Sequence, residues 1–386
     1  MPNSTVLDVV IVYNHHSATS ASVASTNVTS PFLTNDAYNK AYGYFQSSLK
    51  RSGLTAGFTT SADIIGPGKF KSYWTYSHKT WTKHDLPCRS NQIFDKFSPT
   101  TKNGKELRKL MLSSKTVKAF TDSSLFDLFF DKLKTFKSLP SFSIPTVGIA
   151  SSNHKTISSR LKLLESQIST HLHPADFSHT IIVKDRHGAG GNHIYKFSKD
   201  YVKSISKLVS ANPKMSFIIQ PFIHFDKGFK YLGEYASTDI RLIYFNGKVV
   251  TAYLRMAEAG DFRCNQHQGG TLAYLSPDTL PPNVLAKSDK IARILNKKQS
   301  LFTLDFIVSN SGHSYLLEGN TGPGLTWDPA DQIDKLEAKK LIDLIVKEFK
   351  NRINRVRSRL SPQYNLPAKN PFLPLASKTL FPVLIP

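Results

Sequence analysis

Two pairs of apolar runs, each joined by turn-forming residues, constrain this chain more than anything else in it. Residues 240–245 and 248–255 flank Asn246-Gly247. That dipeptide tolerates the positive φ that a type I′ turn needs at both central positions. Residues 301–308 and 313–318 flank Asn310-Ser311-Gly312 in the same way. Both patterns predict β-hairpins, so the second half of the chain is built at least partly on antiparallel pairing.

The rest of that half also alternates. Residues 180–184 read as a strand running into a glycine-rich turn, and 216–220 as a strand capped by Pro221. Residues 157–170, 286–296 and 336–360 carry apolar positions at helical spacing. The first half is less regular. Residues 6–13 predict a buried strand, 37–52 a helix, 54–65 a second strand and 92–95 a short third one. Strand, helix and strand at this spacing imply an open α/β layer. The Ser/Thr-rich stretch 17–30 reads as a loop or a lid, and the aromatic, basic stretch 70–86 receives no assignment. Residues 126–139 predict one helix ending before Pro140. A boundary near Phe120 divides 1–120 from 121–350, and 351–386 forms a basic, Pro-rich tail expected to wrap the surface or stay disordered.

Composition narrows the function classes. A chain of 386 residues is long enough for two or three domains. It has no apolar run of the ~18 residues a membrane span needs, and 6–13 contains Asp8 and lacks a basic flank, unlike a signal peptide. The two cysteines, Cys88 and Cys264, are far apart and outside any metal-ligand spacing, so a disulfide framework is not expected and a reducing cytoplasm suits the chain. Fifty basic against 28 acidic residues give a net charge of +22, which attracts nucleotides, acidic peptides, nucleic acid or anionic surfaces. No nucleic-acid motif accompanies that charge.

Four segments carry candidate chemistry. Lys184 ends a strand and precedes His187, Gly188, Gly190 and Gly191, where backbone N–H groups can approach phosphate oxygens without interference from Cβ. It is not a Walker A loop, and a tight surface turn would look the same. Gln220, Pro221 and Phe222 end an apolar strand whose edge could hold an adenine, although an ordinary buried strand has the same pattern. Asp239 and Arg241 share one strand face; Arg255 follows, and then Gly260-Asp261-Phe262-Arg263-Cys264-Asn265 with Gly269-Gly270. Arginine forks suit a transferring phosphoryl group, and equally suit a surface ion-pair network. Finally, Asp305 on one hairpin strand and Glu318 and Asn320 on the next supply hard oxygen ligands for Mg²⁺. Two carboxylates on adjacent strands would repel without a cation, which favours a metal here. Thr321-Gly322-Pro323-Gly324 then forms a turn able to shape an acceptor pocket.

The order of these segments resembles the ATP-grasp superfamily. Gly260-Asp261-Phe262-Arg263-Cys264-Asn265 with Gly269-Gly270 is similar to the Gly-Asp-Phe-Arg-Ser-Asn…Gly-Gly motif of RimK-like amino-acid ligases. Asp131-Lys132-Leu133-Lys134-Thr135, followed by Ile144-Pro145-Thr146, looks like the family's entry helix and strand. The likeness covers roughly 126–349. It implies an N-terminal pre-ATP-grasp α/β domain and a two-lobed ATP-grasp fold, with lobes at about 145–222 and 223–350 and antiparallel sheets clamping ATP. By the same resemblance Lys132 and Lys184 contact phosphates, Pro221 and Phe222 lie along the adenine, and Asp239 lies on the ribose side. Arg263 and Asn265 stabilise the transferred group. Asp305, Glu318 and Asn320 hold one or two Mg²⁺ ions, with Mn²⁺ as a substitute. The implied reaction joins a carboxylate to an amine through an acyl phosphate. The acceptor would be an amino acid, a peptide or an acidic protein tail. Pro221 departs from the acidic residue many members carry there, and Asp185 from a small residue or Pro. The region before Phe120 looks closer to spore-coat-associated ATP-grasp proteins than to the compact RimK pattern. A non-catalytic nucleotide-binding protein and a charge-driven nucleic-acid or anionic-surface binder are the alternatives.

Overall fold

The computed structural model describes residues 4–360 apart from 100, 189, 266–268 and 298. Val9–Tyr13 is apolar because it lies inside a sheet, paired in parallel with Ala56–Thr60 on one side and Gln92–Lys96 on the other. Lys118–Ala119 extends that sheet at one edge; Tyr73–Ser77 and Thr80–His84 extend it at the other. The helix Asp36–Arg51 starts where the Asn35 side chain accepts from the Tyr38 N–H, and it buries Ala41, Tyr42, Phe45 and Leu49. This is the expected α/β layer.

Three details differ from the sequence reading. The run 54–65 is not one strand. After Ala56–Thr60 the chain turns through Ser61–Asp63, because the buried Asp63 carboxylate accepts from the Thr60 N–H and from the Thr60 and Ser72 hydroxyls. The unassigned stretch 70–86 is a hairpin, with positive φ at His78 (49°) and Lys79 (62°) where no Gly or Asn signals a turn. The loop 17–30 lies on that hairpin: Trp74 Nε1 donates to the Thr19 carbonyl at 2.9 Å, and Lys83 Nζ to the carbonyls of Val23 and Ser25.

Two antiparallel sheets follow. The first runs in the order Val147–Ile149, Phe217–Ile223, Phe177–Asp185, Ile194–Phe197, and the helices His154–Ser169 and Tyr201–Ala211 pack on it. Pro221 does not cap its strand but sits inside it, opposite Ile181. The neighbouring strand pairs only as far as Ile219, so Pro221 lies where one flank demands no N–H donor. The second sheet runs Thr271–Leu275, Lys248–Met256, Thr238–Phe245, Leu301–Val308, Ser314–Asn320 and contains both expected hairpins. Asn246 and Gly247 have φ of 53° and 75°, as a type I′ turn requires. One face of this sheet packs Ile240, Leu242, Leu304 and Phe306 against the helix Pro282–Leu295. On the same strands, Ile243, Phe245 and Leu301 join Phe45, Phe94 and Phe120 of the N-terminal layer and Phe349 of the final helix, Gln332–Leu360, in one core.

The expected helix over 126–139 is two, Ser123–Phe129 and Lys132–Ser138. The break falls at Asp131, whose carboxylate accepts from the Leu133 and Lys134 N–H groups and so starts the second helix at Lys132. The tail from 361 and Gln266, His267 and Gln268 of the glycine-bearing motif lie outside the described residues. Among the described residues no helix is long and apolar enough to cross a membrane.

Candidate active site

A cleft opens between the two antiparallel sheets. Alternation along Phe177–Asp185 sends Ile182 and Lys184 to the same face, and both line the cleft. Gln220, Pro221, Phe222 and Ile307 add to its wall, with Phe262 packed edge-on to Phe222 at 5.7 Å between ring centres. Gln220 is fixed from behind by its amide, which donates to Thr146 Oγ1 at 2.7 Å. Lys132, Gly188, Gly190, Gly191, Asp239, Arg255, Arg263, Asn265 and Glu318 complete the expected residues that reach the cleft. Its apolar part suits a flat aromatic ligand and its polar end an anion.

The polar end is organised around Glu318. Lys132 Nζ lies 3.9 Å from Glu318 Oε2 and donates to the Gly188 carbonyl, which ties the glycine turn to this carboxylate. Arg241 Nη2 lies 3.8 Å from Glu318 Oε1. Burial alone would raise the Glu318 carboxyl, but Lys132, Arg241, Lys184 and Arg255 override it and hold it down to about 2. Lys184 is 6% exposed, and among the described residues no carboxylate lies within ion-pair distance of it. Burial pushes its ammonium down to about 8, Lys132 adds to the shift and Glu318 opposes it. A buried cation of this kind gains most from an anionic ligand.

Beneath the cleft is an ionic lattice that the strand register dictates. Arg241 stands opposite Asp305, Asp305 opposite Glu318, and Asp239 opposite Arg255. Arg241 Nε donates to Asp305 Oδ1 at 2.6 Å. Arg255 donates to both Asp239 oxygens, at 2.7 and 2.9 Å, and to Asp305 Oδ2 at 3.0 Å. The expected repulsion between Asp305 and Glu318 is therefore relieved by arginine, so it does not by itself argue for a metal. Burial raises the Asp239 carboxyl to about 6; Arg255 pulls against this and Asp305 adds to it.

Arg241, Asp305, Asn320 and His187 do not form the cleft wall. Asn320 donates to Glu318 Oε1 at 3.2 Å. His187 packs its ring on Phe130, 5.2 Å between centres, and its N–H donates to Asp185 Oδ1. Arg263 is gripped by Asp261 through Nε and Nη2, at 3.0 and 2.7 Å. Cys264 is buried, and burial raises its thiol well above the usual range, which fits a packed side chain. Among the described residues no group of three or more His, Cys, Asp or Glu side chains is placed to hold a metal ion.

The sequence reading missed the pair that fastens the phosphate-side loop. Arg186 forks onto Asp131, Nε to Oδ1 at 2.7 Å and Nη2 to Oδ2 at 2.5 Å, while the Lys132 N–H donates to the Arg186 carbonyl. Their separation of 55 residues left no local signal. It also missed why Gly319 separates Glu318 from Asn320: a Cβ there would meet the Phe129 ring at 2.3–2.8 Å.

A model of the RimK-like ATP-grasp domain matches residues 143–345, which takes in both sheets and every cleft residue named above except Lys132. The chain belongs to the RimK-like ATP-grasp family. This RimK-like chain is similar to the probable alpha-L-glutamate ligase of Parasynechococcus marenigrum, 32% identical over 134 residues, 34% of this chain and 26% of that protein. It is 30% identical over 181 residues to the probable alpha-L-glutamate ligase 2 of Hahella chejuensis, covering 46% of this chain and 54% of that one. It thus spans about half or less of the length of these curated relatives. The D-alanyl-alanine synthetase A from Vibrio cholerae shares the fold, at a TM-score of 0.56 and 12% identity over 92% of this chain and all of that one. The D-cycloserine synthetase DcsG does so at 0.55 and 12%, over 90% and 99%. The α/β layer and two-lobed ATP-grasp fold inferred from the motifs are therefore present.

Proposed function

We propose that this chain is an ATP-dependent carboxylate–amine ligase. The observation that carries the reading is the meeting of Lys132, Lys184 and the glycine turn with an ionised Glu318 at the polar end of an apolar-walled cleft. The apolar wall takes the adenine, with Phe222 and Ile307 against its faces. Lys132 and Lys184 take phosphate oxygens, and Arg263 and Asn265 stand over the transferred group. A carboxylate oxygen of the substrate attacks the γ-phosphorus, the bond to the bridging oxygen breaks and ADP leaves. The amine nitrogen then attacks the acyl carbon, phosphate leaves with the bonding pair and the nitrogen gives up a proton. The cations offset charge as it develops, and no protein nucleophile is required.

Glu318, Asn320 and Asp305 are the hard oxygen donors that suit Mg²⁺. Glu318 fits best, because it lines the cleft and stays ionised at any working pH. Asp305 is already held by two arginines, so it fits as an outer support. Mg²⁺ there would neutralise phosphate charge.

The probable alpha-L-glutamate ligases among the relatives support amide-bond formation as the reaction class. The test is thermal unfolding with Mg·ATP, comparing the native chain with Glu318→Gln. Ligand at about 100 times its Kd stabilises a fold by about 2.7 kcal/mol. A magnesium-dependent rise in Tm that shrinks in the variant supports the site; no rise in the native chain refutes it.

A further inference from the structure

A second groove lies away from the cleft, and the two share no lining residue. Three parts of the chain meet in it. They are the edge strand Lys118–Ala119 with residues 113–117 before it, the segment at Gln299 and Ser300, and the final helix at Arg352 and Arg355.

Its charges are unevenly matched. Arg352 is committed to the fold: Nε donates to Glu348 Oε1 at 2.9 Å, Nη1 to the Phe120 carbonyl at 2.8 Å and Nη2 to the Gln299 carbonyl. Arg355 shares the same Glu348 oxygen at 3.2 Å. Asp122 is matched by Lys297 at 3.0 Å. Lys115 and Lys118 are exposed, and among the described residues neither makes an ion pair or a side-chain hydrogen bond. Two arginines on one carboxylate and two unmatched lysines leave the groove positive, so it attracts an anion.

Gln92 supplies an independent observation. It is the register partner of Lys118 on the adjacent strand, and both side chains line the groove. Gln92 is 8% exposed, yet its Oε1 has no hydrogen-bond partner among the described residues. A buried acceptor is costly to leave unmet. An unmet acceptor beside unmatched cations calls for a ligand that carries a hydroxyl donor and an anion together.

We propose that this groove binds the phosphate ester of a small sugar or polyol. Lys115 and Lys118 take the phosphate oxygens as point charges, and a hydroxyl of the same ligand donates to Gln92 Oε1. A nucleic-acid strand fits less well, because it needs an aromatic on which its bases can stack. The one aromatic of the groove, Phe120, is 2% exposed, and the Arg352 guanidinium already covers its ring at 4.5 Å. The site lies outside the cleft, so it neither needs the ligase reading nor tests it.

Titration calorimetry on the full chain reads the binding, with ribose 5-phosphate, inorganic phosphate and a short oligoribonucleotide as probes. The native chain binds ribose 5-phosphate tighter than phosphate by about threefold to tenfold, the worth of one neutral hydrogen bond. Lys115→Glu/Lys118→Glu weakens the ester at least about tenfold, as expected for lost charge-assisted bonds. Lys162→Glu/Lys207→Glu makes the same change in net charge on the exposed side of the helices that pack on the first antiparallel sheet, and it costs less than about threefold. Gln92→Leu lowers the affinity for the ester to that for phosphate and leaves phosphate binding unchanged. The proposal is overturned if the native chain does not bind the ester, or if the two double reversals weaken it alike, which would assign binding to the overall charge. It is also overturned if Gln92→Leu leaves the preference for the ester intact. An oligoribonucleotide that binds tighter than the ester and is lost with Lys115 and Lys118 would make the groove a nucleic-acid surface instead.

Discussion

Replacing Arg255 with methionine tests the lattice under the cleft. Arg255 is 6% exposed, and its guanidinium donates twice to Asp239 and once to Asp305, which are 3% and 0% exposed. Asp305 keeps Arg241, but Asp239 has no second cation within ion-pair distance among the described residues. Three charge-assisted bonds at about 1.5–3 kcal/mol each set a gross loss of about 5–9 kcal/mol. Methionine restores apolar packing and the severed arginine no longer has to be desolvated, so the net loss is about 3–5 kcal/mol. Urea unfolding reads it directly. The sign with pH follows from Asp239, whose carboxyl already sits at about 6. Without Arg255 it rises further, so the folded state holds a proton that the unfolded chain has released. Stability then falls as pH rises through that window, and the deficit is larger at roughly pH 8 than at roughly pH 6. Asp239→Asn in the same background removes the stranded charge, recovers about 2 kcal/mol and flattens the pH dependence. A loss below about 1 kcal/mol, or a deficit independent of pH, would refute the claim that the lattice is a buried, mutually dependent set of charges.

Two further outcomes follow from single residues. Lys184 must be charged to hold a phosphate, and its free ammonium titrates at about 8, so Mg·ADP affinity stays level below that pH and falls above it. Lys184→Arg, measured by calorimetry over the same range, keeps a level profile; a native profile that is flat to well above 9 contradicts the buried-lysine account. Gly319→Ala drives a methyl into the Phe129 ring and lowers stability by about 1–3 kcal/mol, read by thermal unfolding. Adding Phe129→Leu should relieve part of that loss, and no relief would mean that the contact is not the cause.

What was legible in the sequence was what depends on local spacing. Asn246-Gly247 announced its hairpin, and two-residue periodicity placed Asp239 with Arg241. The polar residues gathered at the cleft were named from their order along the chain, whereas Arg241, Asp305, Asn320 and His187 stand outside its wall. What escaped depends on partners distant in sequence. The helix over 126–139 broke at Asp131 because that carboxylate serves both a helix start and Arg186. The relief of Asp305 by two arginines depends on the register of three strands, which no single segment shows. The 70–86 hairpin was missed because His78 and Lys79 take up positive φ without the usual residues.

The shared core of the N-terminal layer and the final helix has a consequence for synthesis. Tyr44 and Ser48 on the first long helix bond Asp343, and Arg357 bonds Asp8. Tyr44 and Asp343 are 299 residues apart. At about 5–20 residues per second the ribosome needs about 15–60 s to deliver the partner of that helix. Through that interval Phe45, Phe94 and Phe120 lack the Phe349 side of their core. This layer is thus made well before it can be sealed, and in between its aromatic face has no native partner.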